Sequence, residues 1–467
     1  MSTGALPGFR DFYPEQFAQR AWLFERWRDV ARRFGFVEYD GPPLEPLDLY
    51  TRKSGDEIVG QLYNFEDKGG RQVALRPEMT PTVARMVAAR ANALRKPVRW
   101  FSIPQLFRYE RQQKGRLREH FQLNVDIFGE ADVAADAELL AVACGMMRNC
   151  QLGPADVVAR VSDRRLLTAL VRGAGIADAA IPAVFAAVDK IEREPQETLV
   201  RKMTDAGVAP SAAGRVLELV RTSDLELLRA EFANDGEVAA ALARFDDYGA
   251  LLEAHGVRDY FRLDLTIVRG LAYYTGIVFE LFDARGEFRA VCGGGRYDNL
   301  LSAIGGADMP ALGFGMGDVV LGELLTARRE ERNGIPPWAG DETDFWLGVA
   351  EGDDLVRATR DASTLRQIGC RVEVPLRRVS RSKQKKAARS SSSKFYLEPV
   401  DAVNGATRYR VTGALLAVSD GALPSLSRER PLTAAEIRDV VLKNPGLVDG
   451  NFVARMTRLD LQSGPHS

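Results

Sequence analysis

Between Phe107 and Gly129 the chain reads FRYERQQKGRLREHFQLNVDIFG, with its charge gathered at one end. Arg108, Glu110, Arg111, Lys114, Arg116, Arg118 and Glu119 crowd into the first half, too many charges for a hairpin buried in a core. They need a polyanionic partner or water. The second half alternates: Leu123, Val125 and Ile127 fall on one face of a strand, and Gln122, Asn124 and Asp126 on the other. One face is core, and the other presents polar groups in a row. Carboxylates and amides hold an ammonium end and guanidinium forks hold phosphates, so the pattern suits a small zwitterion held next to a phosphorylated nucleotide. The plain alternative is a solvated edge hairpin.

Three further stretches could do chemistry. In Leu75-Arg76-Pro77-Glu78-Met79-Thr80-Pro81, Thr80 is expected to cap a helix beginning at Pro81, which leaves Glu78 and Thr80 at a strand-to-helix junction near exposed backbone donors. VRGLAYYTG, from Val268 to Gly276, sets an arginine and two tyrosines at a glycine-flanked bend, as a buried anion and an aromatic substrate would need, although such bends also occur in ordinary cores. The glycines of CGGGRYD, from Cys292 to Asp298, let backbone pass close to a ligand. ALGFGMG, from Ala311 to Gly317, reads as a strand, with Asp318 placed to cap the helix that follows. The four cysteines form no CxxC pair and there are three histidines, so zinc-ligand spacing is absent, as is a nucleophile-base motif.

These segments must be positioned by a sizeable scaffold. At 467 residues and 46% hydrophobic, the chain is long enough for two to three domains. Its formal net charge of -1 means that any nucleic-acid contact comes from local patches. Neither a signal core, a transit pattern nor a membrane-length apolar run is visible, and a soluble, cytoplasmic protein with reduced thiols is expected. Phe17, Ala21, Phe24, Trp27, Ala31 and Phe34 form a helical stripe between Pro14 and Gly35. Asp67-Lys68-Gly69-Gly70 reads as a hairpin turn between strands 62–65 and 72–75. Residues 163–254 turn helical, as in RRLLTALVRGAG and AAGRVLELVRTS, and carry no obvious chemistry; 261–267 is expected as a strand. Residues 326–344 read as a linker. Strands at 345–349 and 371–374 around a helix at 353–368 give an α/β pattern, and a last helix is expected over 433–443. Between Pro375 and Lys394 lie Arg377, Arg378, Arg381, Lys383, Lys385, Lys386, Arg389 and Lys394 without one acid, which favours phosphate contacts over a merely solvated face.

FRYER, the KGR loop and Gln122-x-x-x-Asp126 together resemble motif 2 of the class II aminoacyl-tRNA synthetases, specifically the histidyl-tRNA synthetase family. RGLAYYT, LRPEMT, GGGRYD and GFGMGD resemble that family's segments in the right order, over about the first 390 residues. The resemblance implies an α+β fold: a class II antiparallel sheet flanked by helices in a catalytic domain over 1–325, a helical insertion over about 163–254 near the tRNA acceptor arm, and an anticodon-binding-like α/β domain over 345–430. Residues 431–467 are read as a C-terminal extension of unknown role. It implies ATP-dependent activation of L-histidine to histidyl-adenylate and transfer to the 3′ end of tRNA(His), with Mg²⁺ on the ATP, no prosthetic group, and a homodimer formed through the first helix. It implies that Glu78 and Thr80 hold the α-amino group, and that Arg108 and Arg269 meet the α-phosphate and carboxylate. Gln122, Asp126, Tyr273 and Tyr274 would shape the histidine pocket. Glu110, Arg116, Gly315 and the ring of His120 or Phe121 would serve ATP, and the basic run 377–389 would serve tRNA.

Three positions depart from the commonest pattern: His120-Phe121 where a phenylalanine stacks on adenine, Ala272 for an aspartate, and Val320 where motif 3 carries an arginine. All three resemble a bacterial and organellar subgroup. The main rival is the non-catalytic synthetase-like regulatory subunit of ATP phosphoribosyltransferase, which typically lacks the C-terminal domain and the tyrosine signature. A third reading is an RNA-binding protein with an inactive catalytic fold.

Overall fold

The alternating segment becomes a ten-residue strand, Glu119–Phe128, and a sheet extends from both its edges. The computed structural model describes residues 4–51, 60–109, 115–222, 224–268, 274–303, 305–306, 308–334, 336–338, 343–349, 355–391, 393–403, 406–413 and 431–444. It divides into two compact units, Met1–Pro337 and Trp338–Ser467. In the first unit the strands are β1 (Val37–Glu38), β2 (Leu44–Pro46), β3 (Asn64–Glu66), β4 (Gln72–Leu75), β5 (Val98–Ser102), β6 (Gln105–Phe107), β7 (Glu119–Phe128), β8 (Val157–Asp163), β9 (Phe261–Leu263), β10 (Ile277–Asp283), β11 (Cys292–Arg296) and β12 (Ala311–Gly317). Among the described residues the large sheet runs β1-β5-β7-β12-β11-β10-β8-β9 with β6 also on β7, and β2-β4-β3 form a small sheet. The inner pairings from β5 to β8 are antiparallel, while the flanking pairs β1·β5 and β8·β9 are parallel. This is the α+β architecture expected.

Local chemistry explains the elements that carry the site. Leu123, Val125 and Ile127 are buried as the alternation predicts. Beneath them lies the helix Val133–Asn149, capped by Asp132, whose carboxylate accepts from Ala134 N at 2.8 Å. Its sequence, VAADAELLAVACGMMRN, is small or apolar around most of its circumference, and it packs between the sheet and the helices Pro14–Arg33 and Gly236–Ala254. Charged groups tie this helix to the sheet: Arg99 of β5 pairs with Glu138 at 2.8 Å, and a deeper contact comes from β11. Arg296, at the end of β11, has a fully buried side chain and donates from Nε and Nη2 to Asp136 at 3.0 and 2.6 Å, from Nη1 to Glu130 O at 2.9 Å, and from Nη2 to Asp132 O at 3.2 Å. Burial works to lower its pKa, but the Asp136 hydrogen bonds and the charges of Asp136 and Asp298 carry it upward, so the guanidinium stays charged.

Several sequence expectations shift. Thr80 does not cap its helix: it is the first helical residue of Thr80–Ala88, Met79 precedes it in the cap position, and no side-chain cap bond forms. Asp318 likewise is the first residue of the helix Asp318–Glu331, and its carboxylate turns away to accept from Phe121 N and Arg10. In the first helix Trp27 and Ala31 are buried as the stripe predicts, but Phe17 stays 47% exposed and Trp22, Leu23 and Val30 are buried beside them. The strand expected over 261–267 ends at Leu263, where Asp264 begins a turn by accepting from Thr266 N at 3.0 Å. The Asp67–Gly70 turn holds as read, with Gly70 at φ +77 and Asp67 accepting from Gly69 N at 2.8 Å.

The helical stretch between β8 and β9 closes around its own core, in which Leu166, Leu170, Val184, Leu199, Val216 and Leu242 are buried. In the second unit, β13 (Phe345–Leu347), β14 (Val372–Glu373), β15 (Phe395–Val403), β16 (Ala406–Gly413) and β17 (Leu432–Thr433) order as β14-β13-β15-β16-β17. Parallel pairing of β13 with β14 and β15 accompanies the helices Leu355–Arg366 and Arg381–Ser390. The stretch after 430, read from sequence as an extension, supplies β17 and the helix Ala434–Lys443, which is capped by a Thr433–Glu436 box and buries Ile437 and Val441 in this unit's core.

Arg296→Ala leaves Asp136 buried without its bidentate partner and is expected to cost about 3–5 kcal/mol of stability. Urea unfolding of the variant measures it, and a midpoint unchanged from the parent would contradict this role for the ion pair.

Candidate functional site

The row Gln122, Asn124 and Asp126 lies opposite glycines all along its length. In the β7·β12 register Gln122 pairs with Gly317, Asn124 with Gly315 and Asp126 with Gly313, and in β11·β12 Gly315 faces Gly293. A polar row beside missing side chains leaves a trough, and a cavity of about 290 Å³ opens there, floored by these residues. Gly313 is required by contact with fixed neighbours, Gly315 meets only the movable end of Gln122, and Gly317 has open space beside it. A Cβ on Gly313 would sit 2.7 Å from both Tyr297 Oη and Val125 O, and one on Gly315 would lie 2.8 Å from Gln122 Cδ.

Asp126 is 3% exposed. One of its oxygens accepts from Tyr297 Oη, and the other has no hydrogen-bond partner among the described residues. Burial raises its pKa to about 7, opposed by the Tyr297 hydrogen bond. A carboxyl with one oxygen held and one open can accept from an N–H donor brought by a ligand. Tyr297 was not singled out from sequence, although it stands in the GGGRYD segment; only the fold reveals that its hydroxyl reaches across β12.

The rim gathers much of what the sequence suggested. Glu78, Thr80, Arg108, His120, Tyr274 and Val320 line the cavity together with Gln122, Asp126 and Gly315. Arg108 is held by Nε donation to Pro77 O at 2.9 Å, which joins the strand end to the Pro77–Thr80 junction. Strand alternation separates the two candidate rings. His120 borders the cavity, whereas Phe121 points to the opposite face, 5.3 Å from the Phe24 ring and 4.6 Å from the Arg20 guanidinium. Burial, then the charges of Arg108 and Arg10, depress the His120 pKa to about 3, so the ring is neutral at ordinary pH and presents an uncharged face. Arg116 is exposed and is not among the cavity-lining side chains.

Glu110, Arg269 and Tyr273 lie outside the described residues, as does Ala272. The chain on either side of 269–273 is anchored: Arg164, 9% exposed, donates from Nη1 to Val268 O at 2.8 Å, and Thr275 N donates to Arg296 O at 2.7 Å. Tyr274 stands 6.4 Å, ring to ring, from Tyr297.

In the second unit the helix Arg381–Ser390 buries Gln384 and Ala388 and exposes Arg381, Lys383, Lys385, Lys386 and Arg389; Arg377 and Arg378 are exposed just before it. Gln384 fixes that orientation, exchanging hydrogen bonds with Val349 N and O at 2.8 Å each. One acid distant in sequence does meet the run, as Glu398 pairs with Lys385 at 2.9 Å. No helix among the described residues is long and apolar enough to cross a membrane.

A sequence model described as Histidyl-tRNA synthetase matches residues 8–317. The chain is 45% identical to the histidine–tRNA ligase of Opitutus terrae over 397 residues, which covers 84% of this chain and 90% of that protein. It is 40% identical to the chloroplastic/mitochondrial histidine–tRNA ligase of Arabidopsis thaliana over 79% of this chain and 74% of that one. In fold it is similar to the crystal structure of histidyl-tRNA synthetase from Nostoc sp. PCC 7120, with a TM-score of 0.76 at 20% identity, covering 95% of this chain and 99% of that one. A structure from Bacillus halodurans titled ATP phosphoribosyltransferase regulatory subunit/histidyl-tRNA synthetase gives 0.68 at 20% identity, covering 83% and 96%.

The buried Asp126 carries a pH signature. Between its ordinary value of 3.8 and about 7 the folded protein keeps this proton while the unfolded chain has released it. Its contribution to stability is therefore present at low pH and lost as pH rises through the window, at up to about 1.4 kcal/mol per pH unit. Asp126→Asn is expected to flatten the fall in unfolding free energy between about pH 4 and 7, and denaturant titrations at both ends check it; an unchanged slope would count against the assignment.

Proposed function

Since this chain belongs to the histidyl-tRNA synthetase family, we infer that it acts as a histidine–tRNA ligase, activating L-histidine with ATP and transferring it to the 3′ end of tRNA(His). The observation that carries the chemical reading is the polar row of β7 set against the glycines of β12, with Arg108, Glu78 and Thr80 at its rim. That arrangement suits a zwitterion with an N–H-bearing ring: Asp126 accepts from the imidazole, Gln122 supports it, and Glu78 and Thr80 take the α-amino group. ATP lies beside it, with His120 offering a neutral ring face to adenine and Arg108 meeting the α-phosphate.

Chemically, the histidine carboxylate attacks the α-phosphorus, the bond to the β-phosphate oxygen breaks and diphosphate leaves. Arg108 and Arg269 stabilise the negative charge that builds on the α-phosphoryl oxygens. A ribose hydroxyl at the tRNA 3′ end then attacks the adenylate carbonyl and AMP leaves, so no covalent enzyme nucleophile is needed. Mg²⁺ is expected as the ion of the ATP substrate, held chiefly by its phosphates; among the described residues no cluster of three or more His, Cys, Asp or Glu side chains is arranged to hold a resident metal. The exposed basic face from Arg377 to Arg389 supports contact with the tRNA backbone, and the first helix supports a homodimer by the family resemblance.

The regulatory reading rests on likeness of fold alone to the Bacillus halodurans structure, whereas relatives at 40–45% identity are named as ligases. Histidine-dependent ATP–diphosphate exchange, compared with the other amino acids, tests the proposed function. Histidine binding without exchange would favour the regulatory reading. Arg269→Ala is expected to lower exchange by at least ~10²-fold, as loss of one preorganised charge stabiliser does; near-normal exchange would refute that role. Neutralising the run 377–389 is expected to weaken tRNA binding and flatten its salt dependence while exchange persists, which filter binding across salt concentrations measures.

A further inference from the structure

The N-terminal segment brings one guanidinium to the back of the cavity wall. Arg10 donates from Nε to Glu119 Oε1 at 2.6 Å and from Nη1 to Asp318 Oδ2 at 3.0 Å. Both carboxylates are withdrawn from water, with side chains 1% and 6% exposed. Their remaining oxygens are also engaged: Glu119 Oε2 accepts from Gln105 Nε2 at 2.9 Å, and Asp318 Oδ1 accepts from Phe121 N at 2.9 Å. Each carboxylate neighbours a cavity residue in sequence. Glu119 precedes His120 on β7, and Asp318 stands two residues before Val320 on the helix that follows β12, while His120 and Val320 both line the cavity.

We propose that Arg10 is a positioning residue for the ATP-binding part of the cavity, clamping Glu119 to Asp318 so that His120 and Val320 are held at a fixed separation across it. The assignment rests on the ligase reading, which places adenine against His120. Without the guanidinium, two anions share a water-poor site, and like charges in such a place either separate or take up a proton. Separation moves the start of β7 relative to the helix, and protonation leaves a single carboxyl hydrogen bond in place of the guanidinium fork. The segment that delivers Arg10 is itself fastened: Gly8, at φ +88, accepts at its carbonyl from Arg118 N at 3.0 Å, and a Cβ there would lie 2.7 Å from Arg118 Cγ. Arg20 adds a stack over Phe12 and Phe121, 4.1 and 4.6 Å from their centroids. The clamp's last contact on β7 is at Phe121, and Asn124 and Asp126 lie further along the strand, held in register with β12, so its loss is expected to bear more on ATP than on histidine.

Equilibrium binding of ATP and of histidine, measured separately on the purified full chain and on Arg10→Ala and Arg10→Lys, tests the clamp, with exchange kinetics alongside. Arg10→Ala is expected to weaken ATP binding about 10-fold or more, as loss of a charged hydrogen-bond anchor does, with histidine affinity within about twofold of the parent. Arg10→Lys, which keeps the charge, is expected to recover part of the loss. Unchanged ATP affinity, or equal losses for both ligands, overturns the proposal. Should Arg10→Ala not fold, Asp318→Asn is decisive: a selective loss for ATP supports the clamp and unaltered ATP affinity refutes it. Histidine-dependent exchange by the unsubstituted protein tests the ligase reading separately, because the binding measurements need no turnover.

Discussion

The cavity exists because a row of polar side chains and a row of glycines occupy facing positions on two antiparallel strands. Alternation sends Gln122, Asn124 and Asp126 to one face of β7, and the register sets Gly317, Gly315 and Gly313 beside them on β12. Any side chain at Gly313 or Gly315 would occupy space taken by Tyr297, Val125 or Gln122. A shift of one residue in this register would turn the apolar row into the trough and the carboxyl into the core.

Buried and half-buried arginines do much of the holding. Arg296 joins β11 to the helix beneath the sheet through Asp136, Glu130 and Asp132, Arg164 holds the backbone at Val268, and Arg10 bridges Glu119 and Asp318. Buried ion pairs seldom add net stability over an apolar replacement, since desolvation offsets most of the attraction. Their geometric demands are strict, however, because a forked donor must meet its acceptors in plane. In this molecule they lie between segments far apart in sequence, where direction matters more than energy.

The site is correspondingly graded in polarity. Asp126, deep and half-satisfied, resists ionisation until about 7, and His120, nearer the strand start, resists protonation down to about 3. Burial is the first cause of both shifts and acts in opposite directions on an acid and a base. Between about 3 and 7 both groups are neutral.

The sequence by itself determined the alternation of β7, the turn at Gly70, the helical character of 163–254 and the α/β pattern of the second unit, because these follow from short-range periodicity and backbone preference. It also determined which residue types would meet a zwitterion and a nucleotide. It left open whether His120 or Phe121 faces the cavity, and it misread Thr80 and Asp318 as helix caps, because a side chain's partner is chosen by what the fold brings near it. Asp318 finds Phe121 N and Arg10, some two to three hundred residues away along the chain. Tyr297 reaches Asp126 in the same way, and Leu432–Thr433 joins a sheet that the local pattern had closed at 430. Strand register and packing of distant segments decided those points, since no local pattern encodes which strands become neighbours.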